Sequence, residues 1–197
     1  GLLMFAVMTT WGRGWEIMLG EAKVRAGTTP LKPFLESLLA RSPVRVNGTA
    51  IFLSPDPHGV PHALINNLMH NQVLHRRVVF LTVANKEVPW VEERERVSVQ
   101  SLCTDCYHVT ITYGFKDEVN LPRALEACKA YGLVFEQSET SYFLSRATVI
   151  PKRERERCMA LWRERLFGVM LHNVGNVSAY LKLPTNRVVE FGSKVEI

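Results

Sequence analysis

Residues 48–84 read GTAIFLSPDPHGVPHALINNLMHNQVLHRRVVFLTVA, and this single stretch contains a complete strand–helix–strand pattern. The apolar runs 49–53 and 78–84 have strand length and no polar alternation, which is typical of strands buried on both faces of a parallel sheet. Between them, the turn-rich residues 54–59 precede a helix predicted over 61–71. The apolar residues of that helix recur at helical spacing: Leu64, Ile65, Leu68 and Met69. The stretch therefore predicts a βαβ unit with a right-handed crossover.

The pattern after residue 96 predicts further strands and helices of one α/β domain. Apolar and polar residues alternate over 107–114, so this strand has one wetter face, and a short strand near 97–102 would pair with it at an edge. A helix is predicted to begin at Asn120 and to end at Gly132 in a left-handed cap. Another strand covers 142–149. We therefore expect an α/β fold with a mixed, largely parallel sheet and flanking helices.

Two helices and a final strand are predicted in the last quarter of the chain. The first helix covers 154–171 and the second covers 173–182. The closing segments 187–192 and 195–197 form the last strand or two. The apolar residues predicted to face inward from the two helices are Cys158, Trp162, Leu166, Val169, Met170, Val174, Val177 and Leu181.

The N-terminal residues are too apolar for the start of a soluble domain. Residues 1–11 contain only Thr9 and Thr10 as polar side chains, and Gly12-Arg13-Gly14 follows them. The run is shorter than the roughly 20 residues that span a bilayer, and no basic segment precedes it as in a signal peptide. We interpret it as the end of a transmembrane helix that leaves the membrane on the cytoplasmic side, because a cation follows at once.

The expected domain organisation has three parts. Residues 1–12 are the truncated helix end, and 13–47 are a juxtamembrane connector with helices near 15–25 and 34–40. Residues 48–197 are a cytoplasmic α/β domain. The connector contains Gly27, Pro30 and Pro33, which are typical of breaks between elements.

Composition limits the class of protein. The chain has 197 residues, of which 47% are hydrophobic and 22% charged, as in an ordinary globular protein. A net charge of +5 and a pI of about 9.2 suit nucleic acid, an anionic membrane leaflet or simple solubility. Four cysteines are too few for a disulfide framework, and in the cytoplasm they would stay reduced.

Ser54, Asp56 and His58 are the residue types of a nucleophile, an acid and a base, and they follow the first strand. Ligands favour the carboxyl ends of strands in open α/β sheets. However, no Gly-x-Ser-x-Gly elbow is present, and Pro55 and Pro57 indicate a rigid turn. We therefore interpret the loop as turn chemistry, with a soluble hydrolase as the alternative.

Cys103 and Cys106 form a C-x-x-C motif, with His108 close behind. A structural zinc site usually needs a second pair of ligands, and the sequence has none, so two reduced cysteines are the better interpretation.

Several histidines lie in the predicted helix over 61–71 and in the residues that follow it. His62 and His70 stand about 12 Å apart on that helix, too far to share one ion with each other. We expect these histidines, and His75, to be solvated or capping rather than metal ligands.

Residues 152–157 (KRERER) are the densest charged run in the chain. Glutamates alternate with the basic residues, and no stacking aromatics intervene, so the run indicates a solvated helix start rather than a nucleic-acid site. Glycine-rich phosphate loops are also missing from the sequence. The residues alone predict no catalytic centre, no metal site and no cofactor.

A series of segments along almost the whole chain is similar to one known family. The segments are 48–53 (GTAIFL), 61–64 (PHAL), 67–71 (NLMHN), 73–83 (VLHRRVVFLTV), 113–115 (YGF), 141–146 (SYFLSR), 150–151 (IP), 162–167 (WRERLF) and 183–192 (LPTNRVVEFG). In this order they resemble the C-terminal cytoplasmic domain of the KUP/HAK/KT potassium transporters, the bacterial Kup branch in particular. Residues 2–11 are similar to the end of the last transmembrane helix of that family.

The resemblance implies a part of a multi-pass inner-membrane protein that takes up potassium, by symport with protons. The ion path would lie in membrane helices outside these 197 residues, and this part would be regulatory or structural. In some relatives such domains bind a cyclic dinucleotide, often at a dimer interface. A nucleotide-sensing module without transport of its own is therefore the main alternative, and the resemblance assigns no site residue here.

Overall fold

The computed structural model describes residues 1–26, 30–150 and 159–196, in two compact units. One unit comprises the described residues of Gly1–Thr28, Arg146–Asn176 and Gly192–Ile197. The other comprises those of Thr29–Ser145 and Val177–Phe191. The charged run 152–157 and Cys158 lie outside the described residues.

Strands of the described residues form one six-stranded sheet, in the order β3-β4-β2-β1-β5-β6. Their bounds are β1 Val44–Leu53, β2 Val73–Lys86, β3 Val97–Cys103, β4 Cys106–Gly114, β5 Thr140–Ile150 and β6 Val188–Glu196. Strand β1 runs parallel to both β2 and β5, and β4 runs parallel to β2, whereas β3 is antiparallel to β4. The predicted α/β class with a largely parallel sheet is confirmed.

Two of the helices precede β1, and the others lie in the connections between strands. Their bounds are α1 Leu2–Ala26, α2 Leu31–Ala40, α3 His62–His70, α4 Glu93–Arg96, α5 Leu121–Glu126, α6 Leu161–His172 and α7 Val177–Tyr180. Helix α5 continues as a 3-10 turn to Tyr131, and Gly132 ends it at φ 78°, as the sequence predicts. The Asn120 side chain caps the start of α5 by accepting from the Arg123 N–H.

Each face of the sheet carries its own apolar core. Helices α2 and α3 cover one face, where Leu35, Leu64 and Phe80 are among the buried residues. Helix α5 covers the other face, with Leu121 and Ile111. Burial on both faces explains why 49–53 and 78–84 lack polar alternation.

Four phenylalanines lie in a row on the α2–α3 face, one on each of four neighbouring strands. Phe52 on β1 stacks on Phe143 of β5 at 4.8 Å between ring centroids, and on Phe80 of β2 at 6.2 Å. Phe191 of β6 stacks on Phe143 at 6.3 Å. Because Phe52 is opposite both Phe80 and Phe143 in the strand register, the row follows directly from the parallel pairing. We call these four residues the phenylalanine row.

Strand β1 begins five residues earlier than the apolar run 49–53 predicts. A register irregularity between Val46 and Thr49 bends it, and Gly48 at that point has φ 99°. A Cβ on Gly48 would stand 2.7 Å from the Glu139 carbonyl oxygen. Glycine is therefore required here both by conformation and by space.

The prediction for the inner face of the helix over 154–171 is only partly right: Met170 packs against the buried Phe167, as predicted, but two other residues do not face inward. Trp162 and Val169 are 56% and 61% exposed, whereas Phe167 and Glu164 are buried. Apolar residues surround α6 on several sides, so the helical period does not select one face. The packing partner selects it instead.

The predicted helix over 173–182 is much shorter in the structure. Asn173 ends α6 by donating its backbone N–H to the Val169 carbonyl, and only Val177–Tyr180 form a further turn of helix. Val174 and Val177 are exposed, and Leu181 alone is buried as predicted. Asn173, Gly175 and Asn176 favour helix ends, which explains the break.

Candidate functional site

The loop after β1 is held by its own side chains. The Ser54 hydroxyl donates to the Asp56 carbonyl at 2.8 Å, and the Asp56 carboxylate accepts from the His58 backbone N–H at 2.9 Å. A Cβ on Gly59 would stand 2.6 Å from the other Asp56 carboxylate oxygen. The hydroxyl and the carboxylate thus bond to backbone groups of their own loop, which favours turn chemistry over a nucleophile with its acid and base.

Asn67 on α3 has a structural role that the sequence reading did not assign. Its side chain is buried, donates to the Val73 carbonyl at 2.9 Å and accepts from the Asn71 amide at 2.8 Å. These bonds fix the turn from α3 into β2. Among the described residues, no group of three or more His, Cys, Asp or Glu side chains is placed to hold a metal ion.

Two histidines are packed into the domain. Burial lowers the pKa of His75, whose ring meets Phe143 edge-on at 5.6 Å. Burial, and then the nearby His58, lower the pKa of His108, which is hydrogen-bonded to the Thr82 hydroxyl at 3.2 Å. Burial thus favours the neutral form of both rings, and the His108 side chain joins β4 to β2.

The C-x-x-C motif forms a two-residue β-hairpin turn between β3 and β4. Cys103 and Cys106 are opposite each other in the strand register, and Asp105 between them has φ 60°. Cys103, Cys106 and Cys128 are free thiols. The two cysteines thus lie at the end of β3 and the start of β4, and their reduced state stays a prediction.

An ion pair closes the loops at the carboxyl ends of β2 and β4. Asp117 accepts from the backbone N–H of Gly114 at 2.8 Å and of Val91 at 3.0 Å, and from Arg96 at 3.1 Å. These backbone bonds, followed by Arg96, lower the pKa of Asp117. Arg96 also lies 5.4 Å from the centre of the Tyr113 ring. The cluster fixes the loops at this end of the sheet.

Exposed aromatic side chains border this cluster. Trp90 and Phe115 are both largely exposed, and the Lys116 ammonium lies 5.1 Å from the centre of a Trp90 ring. The backbone beneath them is fixed, because Phe115 N–H donates to the Val88 carbonyl at 2.9 Å.

Helix α1 begins with an exposed apolar surface. Leu2, Leu3, Met4, Phe5 and Met8 are all at least two-thirds exposed. Of the helices in the described ranges, none is both long and apolar enough to cross a membrane. The helix continues without a break through Gly12-Arg13-Gly14 to Ala26.

Directly after these exposed apolar residues, α1 packs against α6 through a junction made by Arg163 and Phe167. Arg163 donates to the Thr9 hydroxyl at 2.7 Å and to the Thr10 hydroxyl at 3.1 Å. Phe167 is fully buried, with its ring 5.6 Å from that of Trp11 and against Gly14. These contacts join the helix with the exposed apolar end to the C-terminal part of the same unit. We call this set of residues the α1–α6 junction.

Local sequence patterns do not predict the α1–α6 junction. The sequence does mark the α1 side of the junction. Thr9 and Thr10 are the only polar side chains of residues 1–11, and Gly14 is a small residue one helical turn later. The sequence of α6 carries no such signal, because the side chains predicted to face inward include neither Arg163 nor Phe167. Arg163 and Phe167 are recognised as junction residues only from their contacts with Thr9, Thr10 and Trp11, which are distant in the sequence.

Comparisons with known proteins give one consistent result. Residues 47–197 match the family model described as "K+ potassium transporter C-terminal domain". The chain is 53% identical over all its 197 residues to a "Probable potassium transport system protein Kup" of Nitrosospira multiformis, and covers 30% of that protein. It is 47% identical over its whole length to the protein of that name from Herminiimonas arsenicoxydans, covering 31% of it. A "Probable potassium transport system protein Kup 1" of Dechloromonas aromatica is 48% identical over 195 residues, which are 99% of this chain and 30% of that protein.

No solved structure matches this chain. The chain spans about 30% of the length of the curated relatives described above.

Proposed function

The chain belongs to the KUP/HAK/KT potassium transporter family, and from this premise we propose that it is the C-terminal cytoplasmic part of a potassium uptake transporter. Transport is by potassium–proton symport across the inner membrane. The ion path lies in the membrane region of the parent protein, because ion coordination inside a membrane needs polar groups that line a cavity between helices. This chain provides the structural and regulatory part.

The observation that carries this proposal is the exposed apolar start of α1. Five large apolar side chains there face solvent, and Arg13 follows them. The end of a transmembrane helix with a cation at the cytoplasmic surface has this pattern. The α1–α6 junction begins at Thr9, so a displacement of the membrane helix reaches α6 through Arg163 and Phe167.

Uptake measurements test the proposal. The full-length parent protein is expected to restore growth at low potassium, and potassium-dependent proton entry, in a cell that lacks its own uptake systems. The 197-residue chain alone is expected to restore neither. Restored growth or proton entry with this chain alone would contradict the proposal. So would a parent protein that restores neither although immunoblotting detects it in the membrane.

We further propose that the domain senses a cyclic dinucleotide, as the resemblance implies. The supporting observation is the strand order, which reverses at β1 with β2 on one side and β5 on the other. Ligands of open α/β sheets favour the carboxyl ends of strands at such a point, and the loop 54–59 begins there.

Calorimetry of the chain with cyclic di-AMP, ATP and a control nucleotide tests this second proposal. Heat is expected with cyclic di-AMP alone, together with dimer formation in sedimentation runs. No heat with any of the three at high micromolar concentration would contradict it, and would leave the transport proposal standing.

A further inference from the structure

The β3–β4 hairpin places two thiols side by side at its turn. Cys103 and Cys106 are directly opposite each other in the strand register. Residues opposite each other in antiparallel strands have Cα atoms roughly 4.5–5.5 Å apart. Disulfides usually join Cα atoms about 4.4–6.8 Å apart, so the backbone already has a suitable spacing for a bond between the two sulfurs.

The two thiols differ in access to solvent. Cys103 is half-buried, whereas Cys106 is fully buried in the core with Val78 and Phe80. Burial, and then the neighbouring Cys103 thiol, raise the pKa of Cys106 to about 12. An external reagent therefore meets Cys103 first, and Cys106 is placed to react in a second, internal step. Cys128 is fully buried, and burial raises its pKa to about 11.

We propose that Cys103 and Cys106 are a reversible redox pair that is oxidised by low-molecular-weight disulfides. The Cys103 thiolate attacks one sulfur of the reagent, forms a mixed disulfide and releases one thiolate. The Cys106 sulfur then attacks Cys103, forms the internal disulfide and expels the second thiolate. The protein loses two electrons and two protons, and the reagent gains them as two thiols.

The position of the pair makes the bond reversible and couples it to the sheet. A bond that closes only a two-residue loop restricts few conformations of the unfolded chain, so it adds little stability and is readily reduced. Asp105 in the same turn accepts the Val78 N–H at 2.8 Å, so the turn also holds the point where β4 joins β2. Oxidation therefore acts on the start of a central strand pair.

Mass spectrometry of the full chain tests the proposal. Residues 97–116 contain no internal Lys or Arg, so one tryptic peptide carries both cysteines. After incubation with oxidised glutathione and alkylation, we expect this peptide to be lighter than the reduced form by two hydrogen atoms, with both alkylation sites lost. Dithiothreitol is expected to restore both sites.

Substitutions separate the two steps. Cys106→Ser is expected to stop at a mixed disulfide on Cys103, and Cys103→Ser to react with glutathione at least tenfold more slowly at this peptide. A Cys128→Ser variant keeps the pair and is the matched control, with wild-type behaviour expected. Three results with the wild-type chain would overturn the proposal without reliance on any variant. They are full alkylation of this peptide, a reaction that stops at the mixed disulfide, and a disulfide between Cys103 and Cys128.

Discussion

Replacing Phe52 by alanine is expected to lower the free energy of unfolding by about 3–5 kcal/mol. Phe52 is fully buried and contacts rings on both neighbouring strands, Phe80 and Phe143. Truncation leaves a cavity between strands whose parallel pairing prevents collapse, and it removes two ring contacts worth about 0.5–1.5 kcal/mol each beyond burial. Since domains of this kind are stable by only about 5–15 kcal/mol, much of the stability would be lost.

Phe115→Ala is the matched control, because it removes the same side chain from a position that is 67% exposed. Its effect is expected to stay within about 0.5 kcal/mol, as for most surface substitutions. Urea titration followed by far-UV circular dichroism measures both variants. A loss below about 1 kcal/mol for Phe52→Ala, or equal losses for the two, would contradict the role of the row.

Local sequence patterns predicted the βαβ unit and the parallel core, because strands buried on both faces lose the alternation of polar and apolar residues. The runs 49–53 and 78–84 are apolar at every position that the two cores require. Asn120 and Gly132 likewise marked the start and end of one helical segment, because capping is local chemistry. The strand order around β1 was not available from such patterns, since it depends on pairing between distant residues.

Helix α6 shows why the same reasoning failed at the α1–α6 junction. A helix with apolar residues on several sides has no preferred face until a partner is present. Trp162 fits the helical period as well as Phe167 does, yet Phe167 is the one that meets Gly14. The deciding fact is the missing side chain at position 14, which lies more than 150 residues away in the sequence.

Gly14→Ala and Gly12→Ala are expected to change stability in opposite directions, although the two residues are separated by only Arg13 in the same helix. A Cβ on Gly14 would stand 2.4 Å from the Phe167 ring, which is fully buried, so the ring must move at a cost of about 1–3 kcal/mol. A Cβ on Gly12 meets no atom within 4 Å. There, alanine gains up to about 1 kcal/mol from its better helix propensity.

Thermal unfolding of the chain in mild detergent measures whether each substitution raises or lowers the stability. On the proposed function, potassium uptake by the full-length parent protein measures the effect of each substitution on transport. Uptake is expected to fall several-fold with Gly14→Ala and to remain at the wild-type level with Gly12→Ala. Adding Phe167→Leu to Gly14→Ala makes room for the new methyl group. The stability lost in the double variant is therefore expected to be smaller than the sum of the losses in the two single variants. Additive losses of stability, or a loss of uptake with Gly12→Ala as large as that with Gly14→Ala, would contradict the role proposed for the α1–α6 junction.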